Sequence, residues 1–411
     1  MKSVLSNELC DHVTSMKTKT PPILFQIGWA VFVLLGLFSC SQEENKLTEF
    51  HIYSDEISWE KKGDCSIKIV DKTHVDSAEA KVKFRGGMSS RYEKHSYAIT
   101  LWKKKSIDGL PEAKKWILNS SYIDKSFIRH KLSFDLWRQM NPENKSPLCA
   151  YVNVYENDAY QGLYVLMQRM DKRSLVVDIN DPKSFVFKEP PLFFPREDTP
   201  NRDSMYLATQ KFPKLKKGDA SAQLKELETL IFDGDDQTFK NNIFKLLDID
   251  NLIDWQLILM LTNNGDGQLK NYFIYKQSAT TPMKFALWDY DHSFGRDGDN
   301  EPNMLERIMD EKRTRLFERL MELNPNGFNE KMTARWIELR KTVLTNENIG
   351  QLIAENDKII GPHIAKNAEL WSVKSKWYFD ENDYAAELNL IKEYVSRRLK
   401  QLDKRFKHKE K

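Results

Sequence analysis

The stretch of sequence that decides the fold prediction is NNGDGQLKN, residues 263–271. Asp266 and Asn271 stand in it with four residues between them, and a strand-like run, Tyr272–Tyr275, follows at once. An aspartate and an asparagine at this spacing occur in the loop of phosphoryl-transfer sites where the aspartate receives a hydroxyl proton and the asparagine helps to bind metal. The alternative is a polar turn without chemistry, and the rest of the chain has to decide between the two.

The second informative stretch is LWDYD, residues 287–291, which ends a run predicted as the other strand of a hairpin. Asp289 and Asp291 are two residues apart, so in an extended chain both side chains point to one face. Neighbouring carboxylates repel each other unless a cation lies between them. Mg²⁺ or Mn²⁺ fits, because hard cations prefer oxygen ligands and bind phosphates. The pair and Asn271 therefore form a candidate metal site, and a solvated pair on an edge strand stays possible.

A glycine turn, FRGGMSS at residues 84–90, separates two strand-like runs. Glycines let backbone N–H groups approach phosphates, and Arg85 and Ser89 would add donors. Lys94 and Lys188 are candidate phosphate-binding lysines. The simpler interpretation is a hairpin turn with two solvated lysines, and the Lys-Ser/Thr ending of a P-loop is missing.

The order of elements predicts an α+β protein with a bilobal, protein-kinase-like fold. Residues 51–190 alternate apolar and polar side chains and form a β-rich N-lobe, with one main helix at Asp124–Met140. A Pro- and Lys-rich excursion over residues 191–218 connects it to a largely helical C-lobe, residues 219–403, which contains the hairpin. Residues 404–411 form a basic tail.

Charge and cysteine content narrow the possible environments. The net charge of +3 on 411 residues does not indicate a nucleic-acid-binding protein. Cys65 and Cys149 either form one disulfide in an oxidising compartment or stay two separate buried thiols, and the sequence favours neither.

The amino-terminal residues 1–40 have the pattern of a bacterial lipoprotein signal peptide. An apolar run ends in Leu37-Phe38-Ser39-Cys40, and an acidic, polar tether at residues 41–50 follows. Cys40 is therefore the predicted lipid attachment site, and Met16 makes a better start than Met1 because a basic segment follows it. The prediction is an exported protein, anchored in the outer membrane at the surface of a Bacteroidetes-like bacterium. An uncleaved membrane anchor is the alternative.

Taken in order, these stretches resemble the CotH kinase family. The resemblance covers residues 80–295 and rests on five motifs: Phe84-Arg85-Gly86 with Ser89-Ser90, Trp116–Asn119 through Arg129, Tyr160–Tyr164, Asp266 with Asn271, and Trp288–Asp291. It implies a kinase-like fold, ATP with Mg²⁺ or Mn²⁺, and phosphorylation of Ser or Thr on exported proteins. It also implies that Asp266 is the catalytic aspartate, that Asn271, Asp289 and Asp291 bind metal, and that Arg85 and Ser89 belong to the nucleotide loop.

The chain departs from the family pattern at Gly87, Thr100 and Gln168, where relatives carry Asn, Lys and Glu. These departures keep a second hypothesis open. In it the protein is a non-catalytic surface lipoprotein, a pseudokinase that binds a host, glycan or protein ligand.

Overall fold

The computed structural model describes residues 46–296, 305–372 and 381–407. The predicted signal peptide with Cys40, the first part of the tether and the last residues of the basic tail lie outside these ranges. Within them no helix is both long and apolar enough to cross a membrane.

The first half of the described chain forms a closed barrel of seven strands. Apolar and polar side chains alternate along its strands. In β2, Ile67 and Ile69 are buried inside the barrel, whereas Lys68 faces outwards. The first and sixth strands pair in parallel and close the sheet, which leaves no free edge. The strands are β1 (Thr48–Tyr53), β2 (Gly63–Val70), β3 (Val75–Arg85), β4 (Ser96–Ile107), β5 (Leu110–Asn119), β6 (Cys149–Glu156) and β7 (Ala159–Gln168).

The barrel confirms the predicted β-rich N-terminal region, but a closed seven-stranded barrel is not strictly the lobe of a protein kinase. Strand β5 was not predicted, and β1 starts at Thr48, inside the stretch assigned to the tether. Thr48 and Phe50 are buried there, since their strand pairs with β2 and β6.

A second sheet of four strands carries the predicted hairpin. Its order is β11 (Lys284–Leu287), β10 (Tyr272–Lys276), β8 (Phe185–Lys188) and β9 (Gln210–Phe212). The hairpin itself is confirmed. The predicted excursion at 191–218 is wrong as a plain surface loop, because it contains β9 and a helix, Arg202–Thr209. Strand β9 exists through its pairing with β8, a partner that local composition does not reveal.

The described residues contain nine α-helices. They are α1 (Arg129–Met140), α2 (Arg202–Thr209), α3 (Ser221–Phe232), α4 (Asp236–Leu246), α5 (Ile249–Thr262), α6 (Arg315–Leu323), α7 (Phe328–Leu339), α8 (Asn346–Leu370) and α9 (Tyr384–Arg405). Helix α5 is largely apolar and almost wholly buried in the helical region. Its N-cap, Asp248, accepts a hydrogen bond from the Asn251 amide at 2.9 Å.

Two predicted helix boundaries need correction. Helix α1 starts at Arg129 and not at Asp124, and Ile128 is at its N-cap position. The Asp124 carboxylate instead lies before the helix and accepts from the Arg129 backbone amide at 3.1 Å and from its guanidinium at 2.6 Å. Helix α9 continues into the predicted tail, where the ring of Phe406 is buried against Trp336.

Cys65 and Cys149 are free, buried thiols in two separate cores, one inside the barrel and one in the helical region. Burial raises the pKa of Cys65 to about 11 and that of Cys149 to about 12. Of the two alternatives, the structure has the separate thiols.

Candidate active site

The Asp266–Asn271 loop lies directly after the buried helix α5. Asn263 ends that helix in a left-handed conformation, with φ of 54°. The Asn264 side chain then accepts a hydrogen bond from the Gly267 amide at 3.1 Å and so caps a short 3₁₀ turn, Gly265–Gln268. The Arg313 guanidinium donates to the Gly265 carbonyl from the far side. The loop is therefore held at both faces, as a site that positions a reacting group requires.

Three hydrogen bonds attach this loop to the segment of the carboxylate pair. The Asn264 amide group donates to the Asp289 carbonyl at 3.3 Å, and the Trp288 amide donates to the Asn271 carbonyl at 3.1 Å. The Phe294 amide donates to the Thr262 carbonyl at 2.9 Å. The two stretches that the sequence singled out are thus neighbours in space.

Asp289 and Asp291 lie in a turn and not in a strand, since β11 ends at Leu287 and Asp289 has a φ of 60°. Their side chains nevertheless belong to one cluster, because Tyr290 between them is fully buried and packs against Phe134. The expected grouping is present, produced by a turn around a buried tyrosine and not by strand alternation.

His130 on α1 completes this cluster, and the sequence reasoning missed it. Its Nε2 lies 3.3 Å from Asp289 Oδ1, and one potential ligand atom from each of His130, Asp289 and Asp291 lies within 4.8 Å of the others. Two carboxylates and an imidazole are a donor set that fits a divalent transition cation such as Mn²⁺. The second ring nitrogen, Nδ1, is buried without a hydrogen-bond partner in the described part of the chain.

The two carboxyl groups have opposite electrostatic surroundings. Burial acts to raise the pKa of Asp289, but the hydrogen bond and charge of His130, with the charges of Arg85 and Lys188, hold it well below its usual value. Burial and the charge of Asp289 raise the pKa of Asp291. A cation between the two would remove their repulsion, so these residues suit a metal.

Asp266 lies outside this cluster, on the solvent side of the loop. Its Oδ2 lies 2.9 Å from Lys270 Nζ, and both side chains are partly exposed. Asn271 is almost buried and holds a left-handed conformation, with φ of 62°. The structure therefore places Asp266 where an incoming group has access and Asn271 beside the hairpin end.

Arg85 and Lys188 lie close to the chain segment that carries Asp289 and Asp291. The Arg85 guanidinium lies 5.9 Å and the Lys188 amino group 5.0 Å from the ring centre of Trp288, the residue before Asp289. Burial lowers the pKa of Arg85, while the charges of Asp289 and Asp291 oppose this shift. Two of the predicted phosphate-binding cations thus lie next to the carboxylate pair.

Ser89 and Lys94 occupy other positions. Ser89 is on a short turn, Met88–Arg91, beneath Gly86, whose φ of 150° keeps the loop tightly folded. Lys94 is only 1 % exposed, and its amino group donates to Leu163 O at 2.5 Å and to Asn367 Oδ1 at 3.0 Å. Lys94 is therefore committed to barrel and α8 contacts and does not line the cleft of Arg85 and Lys188.

That cleft is a cavity of ≈ 360 Å³ between the barrel and the second sheet. Its apolar lining comes from Ile99 and Ile117 of the barrel, Met170 of the connecting segment, and Phe273 and Trp288 of the hairpin. The lining also contains Arg85, Lys188 and further basic side chains, so the cavity has the form of a site for a flat, anionic small molecule.

A buried ionic network holds α1 against the segment after Asp291. Arg129, next to His130, donates to the Ser293 carbonyl at 2.9 Å, to Asp124 at 2.6 Å and to Glu387 of α9 at 2.9 Å. Glu387 also binds Arg296. No motif in the sequence pointed to Glu387. It lies 98 residues after Asp289 along the chain and reaches the site through helix α9.

Comparison with known proteins shows which family the chain resembles. The family model described as CotH kinase protein matches residues 82–402. The inner spore coat protein H of Bacillus subtilis (strain 168) is 26 % identical over 238 residues, which are 57 % of this chain and 64 % of that protein. Among solved structures, the proinflammatory kinase CtkA of Helicobacter pylori aligns with 79 % of this chain and 97 % of its own, at 11 % identity and a TM-score of 0.25. A TM-score this low does not establish a shared fold.

Proposed function

This chain belongs to the CotH kinase protein family, and we propose that it transfers a phosphoryl group from ATP to Ser or Thr of an exported protein. The observation that carries the proposal is the junction of the Asp266–Asn271 loop with the Asp289–Asp291 turn at one end of a cation-lined cleft. In this proposal the barrel acts as the N-lobe of a bilobal kinase and the helices form its C-lobe.

Mg²⁺ or Mn²⁺ would be held by Asp289 and Asp291 with Asn271, and His130 would either bind it or orient Asp289. The bound ion supplies neutralisation of phosphate charge. The protein's own groups perform the remaining work. Arg85 and Lys188 bind the donor phosphates, and the apolar walls of the cleft enclose the base and exclude water.

Asp266 receives the proton of the acceptor hydroxyl. Its partly exposed position on the 3₁₀ turn leaves room for a substrate side chain, and Lys270 orients the carboxylate. Lys94, enclosed by its two oxygen acceptors, has no part in this scheme.

The decisive experiment measures ATP and Mn²⁺ binding and phosphoryl transfer to a generic protein substrate with the full chain. Asp289→Asn should abolish the Mn²⁺-dependent rise in thermal midpoint. Asp266→Asn should keep that rise and lower transfer by at least about 100-fold. Exposed Asp55→Asn is the control. If no nucleotide raises the midpoint at any Mn²⁺ concentration, the kinase proposal is wrong.

The ion pair of Asp266 with Lys270 is also the one observation that favours the alternative, a pseudokinase that binds a host, glycan or protein ligand. A permanently paired aspartate would accept no proton. Nucleotide binding without transfer, unchanged in Asp266→Asn, would support that function.

We also propose that the protein is exported and lipid-anchored at Cys40 in the outer membrane of a Bacteroidetes-like bacterium. The support is the sequence pattern at residues 37–45 and the name of the Bacillus relative, which places that protein in the spore coat. Metabolic labelling with a fatty acid should mark the wild-type chain and not Cys40→Ser. Equal labelling of both would contradict this assignment.

A further inference from the structure

The cleft of Arg85 and Lys188 carries a second group of cations beside these two. Lys62 precedes β2, Lys115 is on β5, Arg169 directly follows β7, and Lys211 is on β9. These four residues come from four separate elements, and all of them line the same cavity as Arg85 and Lys188.

This second group has little compensation from acidic residues. In residues 46–296, 305–372 and 381–407, none of its four members forms an ion pair, and Asp171 is the one carboxylate in the lining. The positive charges of the four side chains repel each other. Burial and the charges of Arg169 and Lys115 lower the pKa of Lys62 to about 8. Burial, then Lys188 and Arg169, lowers that of Lys211. The fold thus gathers repelling charges that an anion would stabilise.

A hydrogen bond and strand pairing hold members of this group in place. The Lys62 amino group donates to Thr100 Oγ1, and Thr100 is the cross-strand neighbour of Lys115. Lys62, which precedes β2, and Lys115 of the adjacent strand β5 therefore both lie beside Thr100 of β4. Lys62, Lys115 and Lys211 are also half-buried, so they are not simply solvated surface charges.

ATP alone does not match the positive charge of the cavity. In the proposed function its phosphates are bound by the metal ion, Arg85 and Lys188, whereas the lining holds these four further cations and one carboxylate. Resting on that function, we propose that Lys62, Lys115, Arg169 and Lys211 form a second anion subsite, which binds a further phosphate group of the donor. Two donors have this chemistry: a nucleotide with an additional ribose phosphate, and a linear polyphosphate that runs along the cleft.

An acidic peptide is the competing occupant, and the cavity argues against it. The four cations line a slot of ≈ 360 Å³ between two sheets, and three of them are half-buried. A polypeptide would have to thread through this slot, whereas a phosphate group on the donor enters with it.

The test is a set of binding titrations on the full chain with Mn²⁺, using ATP, adenosine 3′-phosphate 5′-triphosphate, short linear polyphosphate and an acidic peptide. The variant is Lys115→Gln with Arg169→Gln, and the matched control is Lys114→Gln with Lys216→Gln, exposed lysines that do not line the cavity. Thermal unfolding of each protein checks that it folds.

We expect at least one doubly phosphorylated donor to bind the wild type about tenfold or more tighter than ATP, as charge-assisted hydrogen bonds add affinity. The variant should lose this preference and keep its ATP affinity within about threefold, whereas the control should keep both. The ribose-phosphate and polyphosphate arms identify which donor is used.

The proposal is overturned if the wild type binds neither doubly phosphorylated donor more tightly than ATP, or if the variant keeps this preference. It is also overturned if the variant loses affinity only for the acidic peptide. Loss of ATP and Mn²⁺ binding in every protein would instead contradict the kinase function itself. Normal ATP binding without any preference would contradict the second subsite alone.

Discussion

Glu387 supports the candidate site from outside the cluster of His130, Asp289 and Asp291. It is fully buried and binds both Arg129 and Arg296, and Arg129 in turn holds the Ser293 carbonyl and stands next to His130. Glu387→Gln keeps the size of the side chain and removes its charge. Two guanidinium groups then stay buried with less compensation, so we expect a loss of stability as well as a weaker site.

The magnitude follows from the pKa of Glu387. Burial acts to raise it, but the charge of Arg129 and the hydrogen bond of Arg296 lower it from 4.5 to about 2. A depressed carboxyl pKa contributes stability that is present above the unfolded pKa and is lost as the pH falls through the folded one. A shift of this size corresponds to about 3 kcal/mol at pH 7, which wild type loses between about pH 4.5 and 2.

Urea unfolding of wild type and Glu387→Gln at several pH values from 7 to 3 tests this reasoning. We expect the variant to be about 3 kcal/mol less stable at pH 7 and the gap to shrink as the pH falls. Glu393→Gln is the control, because its ion pair with Arg397 on the same helix is exposed and should contribute less than about 1 kcal/mol. A gap that is constant with pH, or below that of the control, would refute the argument.

Three further predictions concern the loop, the metal cluster and the core. Gly86→Ala puts a Cβ 2.4 Å from a serine hydroxyl of the glycine turn, at an unfavourable φ, so the affinity for ATP should fall. Gly87→Ala is the control, because its Cβ meets no atom within 4 Å and the affinity should be kept. Equal ATP titration curves for the two variants would contradict this. His130→Asn should weaken Mn²⁺ binding by about 10–100-fold in calorimetry, and unchanged affinity would exclude a role at the metal. Trp255→Ala should cost about 3–5 kcal/mol in denaturant unfolding, since its buried ring stacks inside the core, whereas exposed Trp102→Ala should be nearly neutral. Similar losses in both tryptophan variants would contradict the packing argument.

Local pattern predicted many elements of the fold. The alternation of β2, β3 and β4, the hairpin of β10 and β11, and the helical spacing in α3 to α5 are all present, because each follows from which side chains the element itself must bury. Closure of the barrel did not follow. It depends on the parallel contact of β1 with β6, about one hundred residues apart, and no periodicity within either strand contains that information.

The candidate site divides in the same way. Spacing within one segment pointed to Asp266 with Asn271 and to Asp289 with Asp291, because chemistry that needs two groups on one loop leaves a local mark. His130 and Lys62 leave no such mark, and single residues of these types are common on ordinary helices and loops. Lys94 shows the reverse case, a lysine next to the glycine turn that packing encloses.

By itself, the sequence determined that this protein has a strand-rich first half, a helical second half and two polar segments with the residue types of a metal and phosphate site. Only the tertiary structure decided which charges meet: an imidazole at the carboxylate pair, a buried glutamate that binds two arginines next to it, and four further cations in the cleft of Arg85 and Lys188. The physical reason is that covalent neighbours set local conformation, whereas electrostatic partners are chosen by how distant elements pack.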